Sequence, residues 1–474
     1  MQCYQNFINN GFVASEGDAV FTVLDPATGQ PYAQVPAATT AEALRAVEAA
    51  TTAQKPWAAL PACERGRYLH QLAAALQARA GQIGAVLARE SGKSLSDATS
   101  EAIYAAEITR YHAEWARRIE GEVIPSDNPQ ENLLLMREAI GVVACLIPFN
   151  FPVYTLLRKI APALITGNTV VVRPSNNTPC SAFEIAQAVL DAGLPAGVVN
   201  ILTMSHVVAE TVCTHPRVGM ITLTGSVGAG RKVLEYSRVN IAKSSLELGG
   251  KTPAIIEADA NLVQAANDIV ASALSHCGQL CTSVERVYVQ ESVYEDFVRL
   301  LKERFAARQY GNRASHPNYM GPLVNATTRL NIHQMVARAV DDGAVLETGG
   351  FIPEGPGYFY PPTLLTACRQ DMEIVQEEIF GPVLCVLQYR TVDEALQMAN
   401  DHQFGLASVL YSENYRTAMR FANHIEAGEL YVNRTPADPY QGYHSGWKRS
   451  GLGGDDGKHG MLEFTQTRLV VLKY

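Results

Sequence analysis

From Thr40 to about Glu120, Ala, Leu and Ile recur at spacings of three and four, as in TAEALRAVEAATTA and YLHQLAAALQARAGQIGAVLARE. That spacing places the apolar side chains on one face and predicts several amphipathic helices, with Gly92 and Gly121 as stops. Beyond Leu133 the register changes. Short apolar runs (IGVVACLIP, NTVVVRP, VVNIL, GMITLTG, TPAIIEADA) alternate with helical stretches (FPVYTLLRKIAPALIT, PCSAFEIAQAVLDAG, SVGAGRKVLEYS). Alternation of this kind predicts βαβ units and a parallel, doubly wound sheet, because parallel neighbours need a crossover long enough to hold a helix. A second series follows from Leu262, with VERVYVQ, PVLCVLQY, LASVLY and GELYVN as strands, and predicts a second α/β lobe. The closing FTQTRLVVLKY alternates β-formers with nothing after it to pack upon, so it is read as adding to a sheet elsewhere, in its own fold or in a partner subunit.

Composition narrows the function classes. A chain of 474 residues, 47% hydrophobic and 18% charged, can bury sizeable cores and is neither a disordered tail nor a small disulfide scaffold. No internal repeat or low-complexity segment points to a solenoid or a linker-rich assembly. The 38 Lys and Arg against 47 Asp and Glu give a formal net charge of -9 with no long basic run, so nucleic acid is not an expected partner. Nine cysteines, none in C-x-x-C spacing, read as free thiols in a reducing compartment, and no metal site is expected. Met1 to Val13 lacks the pattern of a secretory signal. The longest apolar tract, Ala139 to Leu157, is broken by Pro148, Asn150 and Pro152 and falls short of the ~20 residues a membrane span needs. No membrane association and a cytoplasmic location are the expectation.

Four places carry candidate chemistry, each with a blander alternative. The turn Thr224-Gly225-Ser226-Val227-Gly228-Ala229-Gly230 follows a strand and opens a helix, a position where backbone N–H groups and the helix dipole favour phosphate; a tight turn needing glycine is the alternative. Cys281, at a break between a helical run and a strand, could be an exposed nucleophilic thiol or an inert core residue. The neighbouring His276 and Cys277 fit no common zinc spacing. Glu247, flanked by leucines before Gly249 and Gly250, could be a desolvated general base or an outward-facing strand residue. Asn150, between two prolines and two aromatics in PFNFP, could donate to a developing oxyanion or shape a turn.

Taken in order, PFNFP, NTVVVRPSNNTP, TGSVGAG, LELGGK, GQLCTS and EEIFGPV resemble the signature segments of the aldehyde dehydrogenase superfamily, with matches from NFINNGFV to the chain end. The resemblance implies two doubly wound α/β domains plus a small β oligomerisation element. It divides the chain into a cofactor domain (roughly 1–118 with 139–247), a catalytic domain (248–440) and an oligomerisation element (119–138 with 441–474). It implies Cys281 as nucleophile, Asn150 as oxyanion donor and Glu247 as the base that hydrolyses a thioester. A homo-oligomer, dimer or tetramer, and a small aldehyde substrate are implied as well.

For the cofactor, NAD, the resemblance assigns Gly225 and Ser226 to the diphosphate turn and Glu378 to the nicotinamide ribose with Phe380 beside it. Lys159 and Phe149 match further positions near the cofactor. Two departures stand out: Phe149 replaces a frequent tryptophan, and Arg173-Pro174-Ser175-Asn176 replaces Lys-Pro-Ser-Glu. Neutral Asn176 beside cationic Arg173 removes the carboxylate that repels a 2'-phosphate, so NADP is expected to be accepted too. EWARRIEGEVIPSD and YHSGWKRSGLGGDDGKHG are similar to the branch acting on small hydroxylated aldehydes such as lactaldehyde and glycolaldehyde. Arg158, Asp438 and His444 are the corresponding substrate candidates, the last two in a loop at the tunnel mouth. Arg158 keeps open a semialdehyde substrate or a structural salt bridge, and a non-catalytic binding protein is the rival from another class.

Overall fold

The three-and-four spacing after Thr40 resolves into three helices, Thr40–Ala59, Ala62–Ser91 and Leu95–Ala113, in a computed structural model that describes residues 1–311 and 319–474. Thr39 and Glu42 close the first with a capping box, and Gly92 ends the second at φ +76°, a left-handed conformation that costs glycine no Cβ clash. Gly121 stops no helix. The third helix has already tightened into a 3-10 turn at Glu114–Arg117, and the chain runs extended from Glu122 to Ile124.

The apolar runs beyond Leu133 form parallel strands in the spatial order Lys243–Glu247, Val218–Thr224, Val142–Leu146, Thr169–Arg173, Val199–Ile201. Along the chain the path starts at Val142–Leu146, moves outward on one side, then returns to the other side at Val218–Thr224. The reversal opens a crevice beyond the carboxyl ends of those two strands, where such sheets bind ligands. Val143 and Cys145 pack with the helices Ala62–Ser91 and Pro152–Ile165, whereas Val142 and Ala144 pack with Thr40–Ala59. Burial on both faces explains why these runs are apolar throughout instead of alternating.

A second sheet holds Thr363–Thr366, Val383–Tyr389, Val284–Gln290, Thr252–Ile256, Ala407–Tyr411 and Glu429–Val432 in parallel, with Val345–Thr348 antiparallel at one edge. Its own core includes Val287, Leu384 and Leu410. The first 36 residues form features that no periodicity announced: a hairpin, Asn6–Ile8 with Gly11–Val13, on the edge of the first sheet, and a small sheet of Gln2–Cys3, Val20–Asp25 and Gln30–Pro36.

The tail strand Thr465–Lys473 pairs antiparallel with Glu131–Ala139, which pairs with Glu122–Ile124. It therefore finds a sheet within its own chain. Strand pairing in this small sheet begins at Thr465. Before it, Trp447–Lys448 pairs with Phe404–Gly405, Gly451–Leu452 extends the first sheet beside Lys243–Glu247, and the helix Gly457–Glu463 lies on Pro152–Ile165. Residues 441–464 thus tie the two lobes together and pass over the crevice. Among the described residues no helix is long and apolar enough to cross a membrane.

Candidate active site

The loop after Val142–Leu146 carries Asn150 and turns into the helix Pro152–Ile165, with Pro152 in its first turn. Phe151 offers no side-chain cap. Glu101, from the helix Leu95–Ala113, takes that role: its Oε1 accepts from the backbone N–H of Val153 (3.0 Å) and Tyr154 (3.1 Å), and Lys93 pairs with it. Asn150 itself is buried and donates from Nδ2 to the carbonyl of Gln279 at 2.9 Å. An amide nitrogen carries two hydrogens. One is held by the Gln279 carbonyl, two residues before Cys281, which leaves the other able to donate elsewhere.

Cys281 follows a left-handed reversal between the helix Leu262–Leu274 and the strand Val284–Gln290, at His276 (φ +45°), Cys277 (φ +59°) and Gly278 (φ +71°). A Cβ on Gly278 would run into the Gly381 carbonyl, so only glycine lets the two loops approach. Cys281 is half-buried, whereas Cys277 is sealed in the core and burial pushes its thiol far up. Burial also raises the Cys281 thiol, but His444 beside it acts in the opposite direction.

Glu247 ends the strand Lys243–Glu247 and is only 2% exposed. Burial lifts its carboxyl to about 8, against the pull of His444, whose Nε2 stands 3.4 Å from Glu247 Oε2. The other ring nitrogen of His444, Nδ1, lies 3.0 Å from Glu429 Oε1 and 3.4 Å from Asp438 Oδ2. Burial works against a charged imidazole, yet Asp438, Glu429 and Glu247 outweigh it and hold His444 well above the usual histidine range. His444 thus lies in the interior, between the Glu247 carboxyl and the Cys281 thiol. Its place is set by backbone pairing with Asp455, N–H to carbonyl in both directions at 3.0 and 2.8 Å.

Arg158 and Lys159, adjacent on an otherwise apolar helix, are both buried. Arg158 donates from Nε to Asp456 Oδ1 at 3.0 Å and from Nη1 to Asp438 at 3.3 Å. Lys159 donates to Asp455 Oδ1 at 3.0 Å. Lys159 thus faces the Asp455 carboxylate, on the turn that closes over its helix. Sequence reading missed Asp455, Asp456 and Glu429 as members of this cluster. The signal was charge matching: two adjacent acids in GGDDG opposite two adjacent cations that an apolar helix would otherwise strand. Arg158→Leu leaves Asp456 and Asp438 without their cation and is expected to cost about 3–5 kcal/mol of stability, read by chemical denaturation.

The dinucleotide candidates lie along the same crevice. Ser226 caps the helix Val227–Asn240, its Oγ accepting from Ala229 N at 3.2 Å, and Gly225 N–H donates to the Glu247 carbonyl at 2.9 Å. A Cβ on Gly228 would meet only Ser226 Oγ, at 3.8 Å. An uncrowded helix N-terminus of this kind suits a phosphate. At the end of Thr169–Arg173, Arg173 donates to the Met204 carbonyl at 3.3 Å, and burial lowers its pKa. Asn176 Oδ1 is buried with no protein partner, and Ser175 Oγ accepts from Asn177 N at 3.3 Å. Glu378 Oε1 accepts from Gly250 N at 3.0 Å, and a Cβ on Gly249 would overlap its carboxylate. Burial, then Glu285, lifts Glu378 to about 8. Phe149 and Phe380 meet edge to face at 5.7 Å. An orphaned acceptor, an open helix N-terminus and a carboxylate along one crevice fit a dinucleotide's hydroxyls and diphosphate. Glu429, Asp438 and His444 are spaced as metal ligands could be, but Arg158 already occupies Asp438.

A thiol, an amide donor and a raised carboxyl are thus gathered at the crevice beyond the strand ends of a doubly wound sheet. The chain belongs to the aldehyde dehydrogenase family, whose model matches residues 12–470. It is 45% identical to a lactaldehyde dehydrogenase of Escherichia coli strain K12 over 98% of both chains. A crystal structure of lactaldehyde dehydrogenase from Escherichia coli superposes with a TM-score of 0.98 at 44% identity, over 100% of this chain and 99% of that one. A D-glyceraldehyde dehydrogenase (NADP(+)) of Picrophilus torridus is 33% identical over 95% of this chain and 92% of its own.

Proposed function

We propose that the chain oxidises a small hydroxylated aldehyde, of the lactaldehyde or glycolaldehyde type, to its carboxylic acid with NAD and accepts NADP as well. The observation that carries this reading is the convergence of Cys281, Asn150 and Glu247 on the crevice of the first sheet, with His444 linking base and thiol. Cys281 attacks the aldehyde carbon as thiolate, and the oxyanion of the thiohemiacetal takes the free Asn150 N–H and the Cys281 backbone N–H. A bound nicotinamide dinucleotide supplies the acceptor for the hydride. The acyl group then remains on Cys281 as a thioester. Glu247 takes a proton from the water that attacks it, the C–S bond breaks, and the acid leaves with the thiolate restored. In this reading Gly225 and Ser226 hold the diphosphate, Glu378 and Phe380 the nicotinamide end, and Arg173, Ser175 and Asn176 the adenosine end, with Phe149 packed on Phe380.

Charge around His444 favours a neutral hydroxylated aldehyde over a semialdehyde. The cation of Arg158 is already spent on Asp456 and Asp438, and a substrate carboxylate would meet Glu247, Glu429 and Asp438. Lactaldehyde, glycolaldehyde, succinate semialdehyde and betaine aldehyde, each with NAD and with NADP, test the reading together. The first two are expected to show kcat/KM at least about tenfold above succinate semialdehyde, since like charges brought together cost several kcal/mol. Preference for succinate semialdehyde would overturn the substrate reading, and a negligible value with NADP would overturn the cofactor reading. The resemblance to relatives named with NADP supports the second arm.

Association of copies fits the tail strand, an edge strand that leaves Leu469, Val471 and Leu472 exposed. Sedimentation of the intact chain reads its subunit number.

A further inference from the structure

Glu285 is four residues beyond Cys281, and Lys251 four beyond Glu247. Both side chains are buried and meet at 2.7 Å. The same carboxylate accepts two consecutive backbone N–H groups from the loop that carries Glu378: Ile379 N to Oε2 at 2.9 Å and Phe380 N to Oε1 at 2.8 Å. Phe380 sits at φ +53°, a left-handed conformation that a residue with a Cβ keeps only where its surroundings impose it. Gly250 N–H holds the Glu378 side chain at 3.0 Å, so residues 378, 379 and 380 are each fastened by the segments that follow the base and the nucleophile.

We propose that the Lys251–Glu285 pair is a positioning device that locks the Glu378–Phe380 loop in the shape that receives the cofactor's nicotinamide ribose, and so ties cofactor placement to the thiol and the base. The proposal rests on the reading of Glu378 as a ribose ligand. A buried ion pair is weak evidence for stability, since an apolar pair of similar volume often serves as well. Leucine, however, has no acceptor for two amides. Lys251 neutralises the carboxylate, and the carboxylate orders the loop. The same arrangement recurs where Glu101, paired with Lys93, receives Val153 and Tyr154 N–H beside Asn150. Glu90 receives Cys180 N–H (2.6 Å) and Ser181 N–H (3.0 Å) beyond Asn176.

Amide exchange and NADH fluorescence titration of the intact protein test the device. In the wild type, the amides of Ile379 and Phe380 are expected to be protected; rapid exchange there would overturn the proposal before any variant is made. Glu285→Gln is expected to lose that protection and to weaken NADH binding about tenfold or more, with Val383–Tyr389 still protected. The double variant Lys251→Met with Glu285→Leu is expected to recover thermal stability without recovering NADH affinity. A stable double variant that binds NADH as tightly as wild type would show the pair to be structural only. Glu378→Gln with unchanged NADH affinity would retire the ribose reading while leaving the exchange result standing.

Discussion

Cys281→Ala is expected to lower aldehyde-dependent reduction of NAD by at least about 10⁴-fold, the scale of loss when a covalent nucleophile is removed. Binding of NADH by the variant, followed by fluorescence, is expected to persist, because no cofactor candidate depends on the thiol. No other cysteine can substitute. Cys145, Cys180, Cys213, Cys277, Cys368 and Cys385 are buried, and Cys3 and Cys63 lie on the surface outside the crevice. Cys277, the nearest in sequence, is sealed behind the left-handed reversal, and burial keeps its thiol protonated. Retention of more than a few per cent of the activity would move the nucleophile elsewhere.

Glu247→Gln is expected to separate the two halves of the reaction. Acylation survives and yields one burst of reduced cofactor per site, while steady turnover falls about 10²–10⁴-fold with the loss of a general base. The wild-type pH profile carries the same information. The base works only as carboxylate, and burial lifts Glu247 to about 8. At pH 7 roughly a tenth of the sites hold the ionised form, so the hydrolytic limb rises as pH passes upward through about 8. Rapid-mixing kinetics across that range are expected to show the rise in the wild type and its absence in Glu247→Gln. An unchanged limb in the variant would assign it to another group. His444 opposes burial at Glu247, so His444→Gln is expected to shift the limb to higher pH.

The parallel strands were legible because burial on both faces leaves near-continuous apolar runs such as Val142–Leu146, and the early helices because one buried face leaves a three-and-four spacing. Short edge pieces were not. Asn6–Ile8, Gly11–Val13 and Gln2–Cys3 have two or three residues each, too few for any period to register. In the site, Asn150, Cys281 and Glu247 were each unremarkable alone, and the order of their motifs made them readable as a set. The surroundings of His444 were hidden for a physical reason. A backbone bridge to Asp455 and the pairing of Gly451–Leu452 with Lys243–Glu247 bring it to Glu247 across about two hundred residues, and neither contact leaves a local pattern. At Arg158 the sequence left a substrate contact and a structural salt bridge both open, and its pairing with Asp456 fits the second.

The covalent step itself can be weighed. Glu247→Gln mixed with NAD and lactaldehyde, quenched in acid and digested, is expected to yield the peptide bearing Cys281 heavier by the acyl group, in step with the burst of reduced cofactor. Reduced cofactor formed in that amount with the Cys281 peptide unmodified, or with the added mass on a different residue, would contradict an acyl group carried by this thiol.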